Sequence, residues 1–231
     1  CGFVFVALCS APAADLYRAW SAADALCGWL CELGDGEGWT GSRLRLSGPS
    51  LGKEIALEVI EAWPPTYLQL ATTIAGTRVS QELVLEPEGS GAKLVLRHQG
   101  SADLAQGTEN GWRLRLRLLD YYLERGGRRR VVTVAGTTTG SAHDAFIRLV
   151  DARRDSAAPT PVAVFAPDAL CGELDKDTVY TLRRFPLSSG SHLLAGQLMT
   201  WNDDVDLETH RNVVEAIVAQ AAGPAMTSTI H

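Results

Sequence analysis

A strand that breaks into a helix occurs twice in this chain, and no other feature restricts its fold as strongly. Residues 3–20 read FVFVALCSAPAADLYRAW. An apolar run, Phe3 to Leu8, meets a small break at Cys9-Ser10-Ala11-Pro12, and Asp15, Leu16, Tyr17 and Trp20 then recur at helical spacing. Residues 131–150, VVTVAGTTTGSAHDAFIRLV, repeat the pattern. Aligning Asp15 with Asp144 sets Phe3, Phe5 and Ala7 on Val132, Val134 and Gly136, and Tyr17 on Phe146. Each copy also closes on an amphipathic helix, about 107–124 in the first and about 206–221 in the second. The expectation is a duplication: a complete domain over 1–126 and an abbreviated copy over 127–231.

Between these markers the first copy reads as an antiparallel sheet. A helix over 12–20, with Pro12 in its first turn, and a short helix over 22–30 lead into GDGEGWTG at 34–41, a loop by its glycine density. Strand-like runs follow at 42–47, 53–62, 66–73, 77–86 and 92–99. Pro64-Pro65 cannot continue a ladder, and PEGSG at 87–91 is a turn. In the last run Leu94, Leu96 and His98 share one face, with Lys93, Val95 and Arg97 on the other. In the helix Trp112, Leu116, Leu119 and Leu123 form an apolar stripe opposite Arg113, Arg117, Asp120 and Glu124; Thr108 is the expected N-cap and Gly126-Gly127 the stop. Arg128 to Arg130 read as a solvated linker. The second copy offers strands at 161–166, 177–185 and 192–201 and a loop at 151–161, giving about four strands against six.

Charge and composition remove several function classes. The net charge of -6 divides into -4 before the Gly126 boundary and -2 after it, so neither half has the positive field that nucleic acid requires. No apolar stretch approaches the roughly 20 residues of a membrane span. The run at 3–8 is too short, and lacks the basic flank, for a signal peptide. Five cysteines without paired spacing suit reduced thiols and a cytoplasmic location. Cys27 and Cys31 read as two small apolar residues facing a core. No hydrolase, phosphate-loop or metal motif is present, and the five histidines have no ligand spacing, so neither metal nor cofactor is expected.

Four segments carry a family resemblance: APAADLYRAWSAADALCGWL, EVIEAWPPTYLQL, LEPEGSGAKLVLRHQGS and GWRLRLRLLDYYLERG. With them the first copy resembles the START-like helix-grip superfamily, nearest to homologues of the heat-shock-protein-90 ATPase activator, C-terminal domain type. The second copy resembles it only as a shortened relative. The resemblance implies an α+β fold, a curved antiparallel sheet wrapped on its C-terminal helix. It also implies a cavity where sheet and helix diverge, used in the wider superfamily for apolar molecules. A sheet with a single apolar face needs such a cover.

Strand alternation puts Gln81, Leu83 and Leu85 on one face and Leu94, Leu96 and His98 on another; if both look inward, Gln81, Leu83, Leu94, Leu96 and His98 line that cavity with Trp112, Leu116 and Leu119 of the helix. Gln81 and His98 are then polar groups in an apolar wall, and each must meet water, protein or ligand. Trp39, in a glycine-rich loop, is the candidate cap for the mouth. No catalytic residue is assigned. The expected function is binding of a small apolar molecule without catalysis. Two alternatives remain open: a protein-interaction or chaperone-regulator-like module, and a cyclase- or hydrolase-like enzyme of the same fold.

Overall fold

A computed structural model describes residues 2–51, 54–74, 76–100, 105–187, 190–223 and 228–230. The chain forms two compact units: Cys1–Glu109 with Arg115–Arg128, and Asn110–Leu114 with Arg129–His231. The division thus falls two residues beyond the expected 126/127 boundary, and Asn110–Leu114 group with the second unit.

The first unit runs β1 (Gly2–Cys9), α1 (Ala13–Ser21), α2 (Ala23–Leu26), β2 (Leu33–Gly36), β3 (Arg43–Ser47), β4 (Ile55–Trp63), β5 (Tyr67–Ile74), β6 (Thr77–Glu88), β7 (Gly91–Gln99) and α3 (Ala105–Arg125). Its seven strands form one antiparallel sheet in the order β1-β7-β6-β5-β4-β3-β2. A register shift between Val59 and Glu61 marks a bulge in β4, a device that bends a strand. Leu44, Leu46, Leu57, Val59, Leu68, Leu70, Leu83, Leu85, Leu94 and Leu96 form the buried inner face. At the helical end the indoles of Trp20 and Trp29 pack 5.0 Å apart, tilted by 58°, and Trp29 Nε1 donates to the carbonyl of Ala19 at 2.9 Å. Cys27 and Cys31 are both buried, as small apolar residues should be.

The second unit runs β8 (Arg130–Thr139), α4 (Ala142–Arg154), β9 (Ala163–Phe165), β10 (Ala169–Glu173), β11 (Thr178–Pro186), β12 (Ser191–Thr200), α5 (Glu208–Ala222) and β13 (Ser228–Ile230). Its sheet order is β13-β8-β12-β11-β10-β9, antiparallel throughout. The pairing registers of the two units correspond residue for residue. Phe3, Phe5 and Ala7 face His98, Leu96 and Leu94 across β1–β7; Val132, Val134 and Gly136 face Leu198, Gly196 and Leu194 across β8–β12. The aligned aspartates also hold the same helical position: Pro12 precedes α1 and Ser141 precedes α4, each three residues before its aspartate. Ser141 Oγ accepts from the Asp144 amide at 3.0 Å, which closes the α4 cap. Pro12 has no side-chain acceptor, so its carbonyl alone takes the Asp15 and Leu16 amides, both at 3.1 Å.

Several sequence expectations are corrected. Pro12 stands just before α1 rather than inside it. Gly34–Gly36, expected in a loop, belong to β2 (Leu33–Gly36), paired through backbone to Leu44–Ser47. Thr108 lies inside α3, three residues past its first, and so is not its N-cap. The expected loop at 151–161 is still helix up to Arg154. Among the described residues the second unit has six strands rather than four, the added ones being β10 and β13.

Candidate functional site

The inner face of the first sheet is built in cross-strand rows. Phe3, His98, Gln81 and Leu70 form one row; Phe5, Leu96, Leu83 and Leu68 form the next; Ala7, Leu94 and Leu85 form a third. The two faces that alternation left separate, Gln81 with Leu83 and Leu94 with Leu96 and His98, are therefore one continuous surface. Leu83, Leu94 and Leu96 are buried, and Gln81 is half-buried.

His98 is the polar member of this wall. The residue is 6% exposed, and its ring stacks flat on Phe3, with centroids 4.7 Å apart and planes 4° from parallel. Burial, and secondly the Arg115 guanidinium on α3, press its pKa down to about 4, so the imidazole is neutral at pH 7. Burial lowers Arg115 as well, to about 10, which still leaves it charged. Further along α3, Asp120 is near enough to Cys9 to add to the burial that raises the thiol's pKa, and burial raises the carboxyl of Asp120 too. At the end of the helix the Tyr122 ring lies over Gly28, where an added Cβ would stand 2.3 Å from it. The first-unit part of α3 thus runs past β7 and β1 to the helical end.

Of the residues expected on the helix, Leu119 is buried and Leu116 half-buried. Trp112 is buried too, within the segment that groups with the second unit. Trp39 stands in the β2–β3 connection, 60% exposed and three strands away from β6 in the sheet. Arg115 was missed. It lies three residues after Trp112 and four before Leu119, on the predicted apolar stripe, and that spacing was the available signal.

The two units differ at this face. In the second unit glycines at 136 and 196 form a floor for α5. A Cβ on Gly196 would stand 2.2 Å from Val214 Cγ1, and one on Gly136 would stand 3.0 Å from Ala222 Cβ. The Tyr180 ring lies over Gly172, and its hydroxyl donates to the Pro159 carbonyl at 2.7 Å. Side chains fill that space. The first unit has Leu96 in place of Gly196 and Ala7 in place of Gly136. On β1 the inward residues Phe3, Phe5, Ala7 and Cys9 stay half-exposed; of their counterparts on β8, Val132 is half-exposed as well, whereas Val134, Gly136 and Thr138 are buried.

A hollow of about 590 Å³ opens in the first unit, among Arg18, Asp24, Asp35, Arg45, Glu54 and Arg128. It shares none of the nine predicted lining residues, and its charges are mixed in sign, three of each. Among the described residues no group of three metal-ligating side chains converges. No helix of the described residues is long and apolar enough to cross a membrane.

An antiparallel sheet carrying a long C-terminal helix, with an apolar inner wall between them, defines the START-like helix-grip class. Residues 10–124 match the family described as activator of Hsp90 ATPase homolog 1-like protein. Among solved structures, protein MLL2253 from Mesorhizobium loti is 22% identical with a TM-score of 0.50, over 55% of this chain and 98% of that one. CalU16 from Micromonospora echinospora is 21% identical with a TM-score of 0.46, over 53% and 75%. DynU16, described as a putative protein in the dynemicin biosynthetic locus, is 16% identical with a TM-score of 0.49, over 96% and 95%. At these identities the likeness concerns the fold alone. No curated protein sequence matches the chain.

Proposed function

We propose that the first unit binds a small apolar ligand between its sheet and α3, without catalysing a reaction on it. The observation that carries this reading is the half-exposed inner side of β1, Phe3, Phe5, Ala7 and Cys9, beside the buried leucine wall. The equivalent side of β8 is covered by a helix on a glycine floor. An apolar wall with few polar groups is the usual make-up of a small-molecule site. His98, Gln81 and Arg115 supply those polar groups; a neutral imidazole suits an uncharged ligand atom better than a general acid would. A cytoplasmic setting belongs to the same proposal and rests on the unpaired cysteine spacing.

The test uses 1-anilinonaphthalene-8-sulfonate as an apolar probe and native mass spectrometry of the purified chain. The wild-type protein takes up the probe. Ala7→Trp, which fills the open side from a half-exposed position, weakens uptake about tenfold, or roughly 1.4 kcal/mol. A wild-type chain that takes up neither probe nor co-purified small molecule overturns the reading. So does uptake that Ala7→Trp leaves unchanged in a protein of unaltered thermal midpoint.

A further inference from the structure

β1 is an outermost strand of its sheet, and among the described residues no strand lies on its free side. Its sequence, GFVFVALC, has neither charge nor proline, the usual means by which an exposed edge is kept from pairing. On its outer face Val4, Val6 and Leu8 are 58%, 60% and 74% exposed. On its inner face Phe3, Phe5, Ala7 and Cys9 are half-exposed. The nearest charges on β7 are already neutralised, Lys93 by Glu86 and Arg97 by Glu82, both at 2.9 Å. In the second unit the corresponding edge, β8, is taken by an antiparallel strand: Thr229 of β13 faces Val134.

We propose that β1 pairs with β1 of a second copy of this chain, antiparallel about a two-fold axis through Val6. This register sets Val6 against Val6 and Val4 of one protomer against Leu8 of its partner. On the inner face it sets Phe5 against Ala7 and Phe3 against Cys9. Every facing pair is apolar, and no like charges meet, so the strand is complementary to itself. Three such side chains per copy, with the strand backbone, cover on the order of 1,000 Å² in total, the lower bound of a specific interface. The dimer is accordingly concentration-dependent. The inference rests on the strand and not on ligand uptake, so either can fail alone.

Sedimentation velocity of the full chain over about a hundredfold range of micromolar concentration tests it. The wild-type protein shifts from monomer to dimer across that range. Val6→Lys, at an outward position, stays monomeric with an unchanged far-ultraviolet circular dichroism spectrum. Under mild oxidation Val6→Cys links to its own counterpart, and Leu8→Cys does not. A wild-type chain that remains monomeric overturns the proposal and leaves the stripe to a different protein. A Val6→Lys chain that dimerises like the wild type overturns it equally.

Discussion

At the scale of single residues, His98 shows how burial turns a titratable group into a pH-dependent one. Folded, its pKa is about 4; in the unfolded chain it is the ordinary 6.5. Between those values the unfolded state holds a proton that the folded state refuses, so stability rises with pH across that window. The contribution is complete above pH 6.5 and is lost as pH falls toward 4. His98→Gln is expected to flatten this limb, which urea unfolding followed at several pH values between the two would reveal. A wild-type chain with a flat limb there would place the imidazole in contact with water. The sequence marked His98 by strand alternation alone. What it did not carry was the neighbour: Arg115 acts on His98 across 17 positions of chain (115 − 98), and only the packed helix brings the two together.

At the scale of elements, legibility followed the physics of each strand. β6 and β7 alternate apolar and polar residues, because one face is buried and the other wet, and both were read correctly to within about two residues. β2, with the sequence LGDG, pairs only through its backbone and looks like a loop, because glycine reports nothing about a ladder. β10 is buried at Ala169 to Gly172 on both faces, so it has no alternation to read. Its neighbour β11 carries the other element-scale feature. Arg184 lies at the position of Leu85 in the first unit, paired with Asp168 and donating to the Pro167 carbonyl at 3.0 Å. Its Nη1 lies 3.1 Å from His192 Nδ1, and His192 Nε2 lies 3.0 Å from the Gly140 carbonyl. This places the imidazole proton on Nε2, donating to Gly140, with Nδ1 accepting from the arginine. Asp168→Ala strands a buried guanidinium and is expected to cost about 3–5 kcal/mol. Glu86→Ala, which breaks an exposed pair, costs under about 1 kcal/mol. Chemical denaturation of both variants checks the difference, and equal losses would mean that water reaches Arg184.

At the scale of the whole molecule, the duplication is legible in sequence and sharpened by register. Twenty residues of likeness around Asp15 and Asp144 pointed to it; the matched rows of the two sheets extend it to β6, β7, β11 and β12. The two copies differ at one place: the second sets its helix on Gly136 and Gly196, where the first has Ala7 and Leu96. Leucine at the two equivalent positions therefore has unequal effects. Ala7→Leu lies on a half-exposed face and is expected to change stability by less than about 1 kcal/mol. Gly136→Leu drives into Val218 and Ala222 of α5 and costs about 1–3 kcal/mol or more. Thermal unfolding of the two variants measures this, and equal midpoints would mean that α5 yields without strain. The difference was invisible in the sequence because Gly136 and Gly196 are 60 positions apart (196 − 136) and meet only across β8 and β12.

The indole pair of Trp20 and Trp29 has a spectroscopic consequence. Two chromophores 5.0 Å apart and tilted by 58° couple their excited states, which splits the far-ultraviolet indole band into a signed couplet. Both rings are fully buried in the first unit, and the couplet vanishes once they separate. The protein thus carries its own optical gauge of that unit: Trp29→Phe erases the couplet, while denaturant erases it only when the helical end of the first sheet comes apart.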